Sequence, residues 1–145
     1  MTIEAVKEVT IDAPPATIFP YLVDPAKFVQ WMGTDVSLAA VPGGEFRALC
    51  GGRFPAAGEF VEVVENERVV FTFGWDVEDH PIPAGSSEVE ITLTPMGTAT
   101  LVRLVHRGLP ADAIDDHLGG WTYYLDRLTA VVAGEDPGPD LPPGE

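Results

Sequence analysis

A chain of 145 residues with 46% hydrophobic and 21% charged side chains can hold one domain with a real core, and is too apolar for whole-chain disorder. Its 23 acidic residues stand against 8 Lys and Arg, a formal net charge of −15 that excludes general nucleic-acid binding and disfavours an anionic membrane surface. One cysteine, Cys50, excludes an internal disulfide and a multi-cysteine metal site.

The first residues are charged and hold no apolar signal core, and no apolar run approaches the roughly 20 residues that span a bilayer, so a cytoplasmic location is expected. Ile3 to Ile11 reads as a strand, charged on part of one face. Pro14-Pro15 opens a short helix carrying Ile18, Phe19 and Leu22, which Pro20 should distort. Asp24-Pro25 starts a second short piece with Phe28 and Trp31. From Gly33 to Arg107 the period becomes two. Val36-Ser37-Leu38 is a brief strand, and Gly43-Gly44 turns into Glu45 to Cys50, which Gly51-Gly52 interrupts. Glu59 to Val64 follows. Val69, Phe71, Phe73 and Trp75 then share one strand face. The loop from Asp76 to Ser87 holds Pro81, Pro83 and Gly85. Val89, Ile91 and Leu93 alternate with polar residues, as do Thr100, Val102, Leu104 and His106 with Arg103 and Arg107 opposite.

Asp112 to Ala133 reads as a long helix. Ile114, Leu118, Trp121, Leu125, Leu128 and Val132 form its apolar stripe, and acids sit at its start. Gly134 is placed as its cap, with Pro137 beyond. Residues 134–145 are Pro, Gly and acid with one large apolar side chain, so a solvated, dispensable tail is expected after a 1–133 domain. A docked extended segment is the alternative. The stripe needs an apolar partner, and the aromatic strand faces supply it. The expected fold is α+β: a curved antiparallel sheet wrapped around a long C-terminal helix, with two short helices after the first strand.

Four stretches resemble motifs of the START-like (SRPBCC) helix-grip superfamily, in the branch similar to the C-terminal domain of the heat-shock protein 90 ATPase activator. They are Asp24-Pro25 through Trp31-Met32-Gly33, Pro42-Gly43-Gly44-Glu45-Phe46-Arg47, Arg68-Val69-Val70-Phe71-Thr72-Phe73-Gly74-Trp75, and His117-Leu118-Gly119-Gly120-Trp121 through Leu128. The resemblance implies a cavity between sheet and long helix, but no fixed catalytic set.

The expected function is binding of a small hydrophobic molecule in that cavity. The alternatives are a cavity enzyme of the polyketide cyclase or dehydratase type and a chaperone-associated protein. The expected lining is Trp31, Phe71, Phe73, Trp75, Leu93, Val102, Leu104, His106, His117, Trp121 and Tyr124. His106, His117 and Tyr124 are the candidates for acid–base work. A lone histidine with no marked partner favours the plainer alternative, a core-edge residue for His106 and a helix-flank one for His117. His80 is expected in solvent. Arg47, Glu45, Glu59 and Glu62 are read as an outer face. Gly119-Gly120, costly in a helix, suggests close approach to the sheet or a ligand. No phosphate loop, nucleophile elbow or metal motif occurs, so no cofactor, metal or nucleic-acid partner is expected. A homodimer is left open.

Overall fold

The computed structural model describes residues 4–142. Ile3, read as the first residue of the opening strand, and the tail positions 143–145 lie outside that range. The elements are β1 (Glu4–Ile11), α1 (Pro15–Ile18), α2 (Pro20–Val23), α3 (Pro25–Phe28), β2 (Val36–Leu38), β3 (Glu45–Cys50), β4 (Phe54–Val64), β5 (Arg68–Phe73), β6 (Ser87–Met96), β7 (Ala99–Arg107) and α4 (Ile114–Val132).

All pairings between these strands are antiparallel, and the sheet runs β1-β7-β6-β5-β4-β3-β2. Alternation places Val69, Phe71 and Phe73 of β5, Val89, Ile91 and Leu93 of β6, and Val102, Leu104 and His106 of β7 on the buried face. The other face carries ions in rows. Arg107 holds Glu90, Glu88 and Glu4 at 2.8, 3.0 and 3.3 Å, joining β7 to both neighbours, and Arg68 holds Glu90 and Glu62 at 2.9 and 3.1 Å. Arg47 pairs with Asp76 and Glu45 on the same face, as read for these strands. A break in register between Phe60 and Glu62 bends β4.

Proline shapes the segment after β1. Pro15 and Pro20 each take a first-turn position, and Pro20 splits the expected first helix into two single turns at Phe19. Asp24 caps α3 by accepting from the Ala26 N–H. Trp31, fully buried, donates its indole N–H to the Tyr21 carbonyl at 2.8 Å.

A 3₁₀ turn at Ala111–Ala113 leads into α4. The buried side of α4 is Trp121, Tyr124, Leu125, Arg127, Leu128 and Val131, while Ile114, Leu118 and Val132 of the expected stripe are half-buried. Gly134, at φ +83°, ends the helix as expected. Its N–H reaches the Val131 carbonyl and that of Glu135 the Ala130 carbonyl, a Schellman arrangement.

The segment after Gly134 differs from the solvated tail expected of its composition. Arg127, buried on α4, donates to the carbonyls of Pro137, Gly138 and Pro139 and to that of Trp31. Asp140 is also buried, and one of its oxygens accepts from the Gly33 N–H, the Gly51 N–H and the Tyr124 hydroxyl at 2.9, 2.9 and 3.1 Å. Gly51 has φ +61°, and a Cβ there would stand 2.6 Å from Pro142, so only glycine lets the tail lie this close. The segment is fastened by polar groups, which an apolar-area argument does not weigh.

Candidate functional site

The space between sheet and α4 is solid at one end and hollow at the other. At the solid end, rings fill the space: Phe28 meets Trp31 with centroids 4.9 Å apart, Phe46 stacks on Phe71 at 4.1 Å, and Phe60 meets both Phe46 and Phe71 edge-on. Phe73 stands at the divide. It lies 6.2 Å from Phe46 on the solid side and 5.3 and 5.7 Å from Trp75 and Trp121 on the other. Beyond it lies a cavity of about 380 Å³.

Three elements build the cavity wall. From α4 come Asp116, His117, Gly120, Trp121 and Tyr124, whose spacing puts them on one side of a helix. The strand ends contribute Cys50, Phe54 and Phe73, and Trp75 follows just beyond β5. The loop after Trp75 folds back, with the Trp75 N–H on the Ile82 carbonyl at 2.8 Å, and brings His80 and Ile82 to the wall. Met32, Pro81, Pro110, Asp112, Ala113 and Pro142 complete it. Neither Gly119 nor Gly120 approaches the sheet: a Cβ at either would meet nothing within 4 Å. At Gly120 the missing side chain leaves open volume in the cavity.

Hydrogen bonds fix the histidine tautomers. His106 is fully buried. The Trp121 indole N–H can only donate, and it lies 3.0 Å from His106 Nδ1, which must therefore accept. The proton is on Nε2, which donates to Ser87 Oγ at 2.8 Å, and Ser87 donates on to the Phe73 carbonyl at 2.7 Å. Burial, and secondarily the charge of His117, push the His106 pKa down to about 3. His106 is a neutral, fully satisfied brace behind Trp121.

His117 is held by its own helix. Its Nδ1 lies 2.9 Å from the Ala113 carbonyl, which can only accept, so Nδ1 carries the proton. Nε2 is buried and without a hydrogen-bond partner. His80, expected in solvent, is half-buried because its Nδ1 accepts from the Ile82 N–H at 2.9 Å, which leaves its proton on Nε2. Burial and the neighbouring Asp140 push the Cys50 thiol up to about 12, despite the opposing Tyr124 hydrogen bond, so it is no nucleophile. Burial first, then Cys50 and Asp140, push the Tyr124 phenol well above its usual value.

Of the expected lining, Phe73, Trp75, His117, Trp121 and Tyr124 reach the cavity. Trp31, Phe71, Leu93, Val102 and Leu104 belong to the packed core, and His106 lies behind the wall. Met32, Cys50, Phe54, His80, Pro81, Ile82, Pro110, Asp112, Ala113, Asp116, Gly120 and Pro142 were not foreseen. Helix spacing alone places Asp116 and Gly120 beside residues that were, whereas no local signal marks Phe54 or Pro142. Among the described residues no three His, Cys, Asp or Glu side chains gather as metal ligands, and no helix is long and apolar enough to cross a membrane.

Comparison with known proteins places this architecture. An uncharacterized protein of Schizosaccharomyces pombe is 26% identical over 125 residues, 86% of this chain but 35% of the yeast protein, so the chain spans about a third of its curated relative. A protein of the dynemicin biosynthetic locus, 22% identical, superposes with a TM-score of 0.80 over 94% of this chain and 50% of its own. The Aha1 dimer of Colwellia psychrerythraea, 19% identical, does so at 0.77 over 90% and 96%. At those identities the likeness is one of fold. An AHSA1-like protein of Rhizobium etli is 40% identical, with a TM-score of 0.73 over 100% of this chain and 91% of its own. Residues 12–133 match the family model described as activator of Hsp90 ATPase homolog 1-like protein. The chain belongs to that family, within the helix-grip fold.

Proposed function

We propose that this protein binds a small, largely apolar molecule between the sheet and α4. The observation that carries this reading is the cavity of about 380 Å³ with the rings of Phe54, Phe73, Trp75, Trp121 and Tyr124 in its wall. A site of that size and lining binds by removing apolar surface from water, with orientation left to a few polar atoms.

The uncharged dye prodan tests it. Prodan should bind with a blue-shifted emission and quench the tryptophans. Gly120→Leu puts a side chain into open volume and should weaken binding about tenfold or more, whereas Glu90→Gln, on the ion-paired outer face, should leave it within about twofold. Equal affinity in wild type and Gly120→Leu would remove the cavity as the binding place.

A cavity enzyme of the cyclase or dehydratase type is the second reading, and the observation that favours it is His117, which lines the cavity and has a ring nitrogen without a hydrogen-bond partner. Tyr124 and Cys50 are both held protonated, and His106 is enclosed. Of the three candidates for acid–base work, this reading rests on His117 alone. The fold likeness to a dimeric Aha1 supports a homodimer as a further proposal, which light scattering tests directly. A role beside a chaperone rests on the family's description and would be tested by co-purification with a heat-shock protein 90 homologue.

A further inference from the structure

One residue of the cavity wall comes from the segment after Gly134. Pro142 reaches the wall only because that segment is docked on the body. The carboxylate that docks it stands beside three other wall residues. One oxygen of Asp140 accepts from the Gly33 N–H, next to Met32, from the Gly51 N–H, next to Cys50, and from the Tyr124 hydroxyl. Met32, Cys50 and Tyr124 all line the cavity. Asp140 thus ties the turn after α3, the end of β3 and α4 together at one side of the ligand space.

Resting on the binding reading above, we propose that the docked C-terminal segment is a removable wall of the ligand site, positioned by Asp140, so that ligand binding and docking of the segment strengthen one another.

The attachment is of a kind that opens locally. It is polar: the Asp140 carboxylate, the three carbonyls held by Arg127, and the Leu141 N–H on the Tyr123 hydroxyl. Leu141, the large apolar side chain of the segment, is 71% exposed. Few apolar contacts therefore hold the segment down, and such parts of a fold detach well before the core does. The second oxygen of Asp140 is buried without a hydrogen-bond partner, an unfavourable feature of the docked state that release relieves. A ligand resting against Pro142 has that contact only while the segment is docked, so it prefers the docked form. By linkage it favours docking to the same degree that docking favours it. Asp140 itself is not in the cavity wall. It acts through Tyr124 and Pro142, as a positioning residue.

Amide exchange followed by NMR in the full chain reads docking directly, because Asp140 is the acceptor of both the Gly33 and the Gly51 N–H. These two amides should exchange faster than those of the β6–β7 ladder, and prodan at about ten times its Kd should slow them about tenfold. Asp140→Ala should free both amides and weaken prodan binding about fivefold or more. Asp140→Asn keeps a carbonyl oxygen for the same three donors and should stay within about threefold of wild type in exchange and in affinity. A purely structural role for Asp140 would lower the melting temperature of Asp140→Ala and leave its prodan affinity alone. That result overturns the inference, as do Gly33 and Gly51 amides that exchange no faster than the ladder, or that bound prodan does not slow. If Asp140→Ala does not fold, the exchange of the wild type and of Asp140→Asn decides. If prodan binds and Gly120→Leu weakens it while the two amides do not respond, the binding reading stands and this inference falls. If prodan does not bind, both fall.

Discussion

His106 can accept a proton from water only by breaking its bond from Trp121. The neutral ring takes the indole N–H at Nδ1 and gives its own proton to Ser87, and a second proton would turn that acceptor into a donor. Its pKa of about 3, against 6.5 in an unfolded chain, carries a definite sign. The unfolded state binds the proton first. Stability from this residue is complete above pH 6.5 and is lost as pH falls towards 3, on the order of 3 kcal/mol between pH 7 and pH 4. His106→Gln cannot titrate. Urea midpoints at both pH values should show wild type losing its advantage over this variant on acidification, whereas a constant difference would mean that His106 is not held neutral. Strand parity was enough to turn this side chain inward. Its lack of any ligand-facing atom depends on Ser87 and Trp121, 19 and 15 residues away, which no local pattern joins to it.

At the level of elements, α4 and the segment that follows it divide the work of framing the cavity. Gly119 and Gly120 weaken α4 without any contact that requires them. Alanine at either should therefore raise stability by about 0.5–1 kcal/mol, read from denaturation midpoints. A loss at Gly120 would show that the helix lies nearer the sheet than described. The tail makes the opposite prediction. Arg127→Met strips the donor from three tail carbonyls, and removing residues 135–145 unpairs the Gly33 and Gly51 N–H groups. Either change should cost about 2 kcal/mol or more and lower the melting temperature by on the order of 5 °C. A shift below about 1 °C would return the tail to solvent. The strands and the long helix were legible because apolar periods of two and of three to four are local properties. The docking of Asp140 was not, since its partners are backbone groups 107 and 89 residues away. Nor could spacing show which part of the layer between sheet and helix is filled: that follows from the rings of Phe28, Trp31, Phe46 and Phe60 gathering at one end.

For the whole molecule, the pairing of β1 with β7 sets the order of events. Glu4 faces Arg107 across that ladder, so the first strand has no neighbour until the last has been made. The meander from β2 to β7 is local and can assemble as the chain emerges, but β1 closes a loop of about a hundred residues, which slows folding by its entropy. Asp140 then fastens the far end to Gly33 and Gly51. A ribosome delivers these pieces in sequence, so during synthesis β1 waits as an unpaired edge and the apolar faces of β5 and β6 stand uncovered until α4 arrives. The interval between making β1 and releasing α4 is when this protein is most exposed to aggregation, and slowing translation within β7 or α4 should lengthen it.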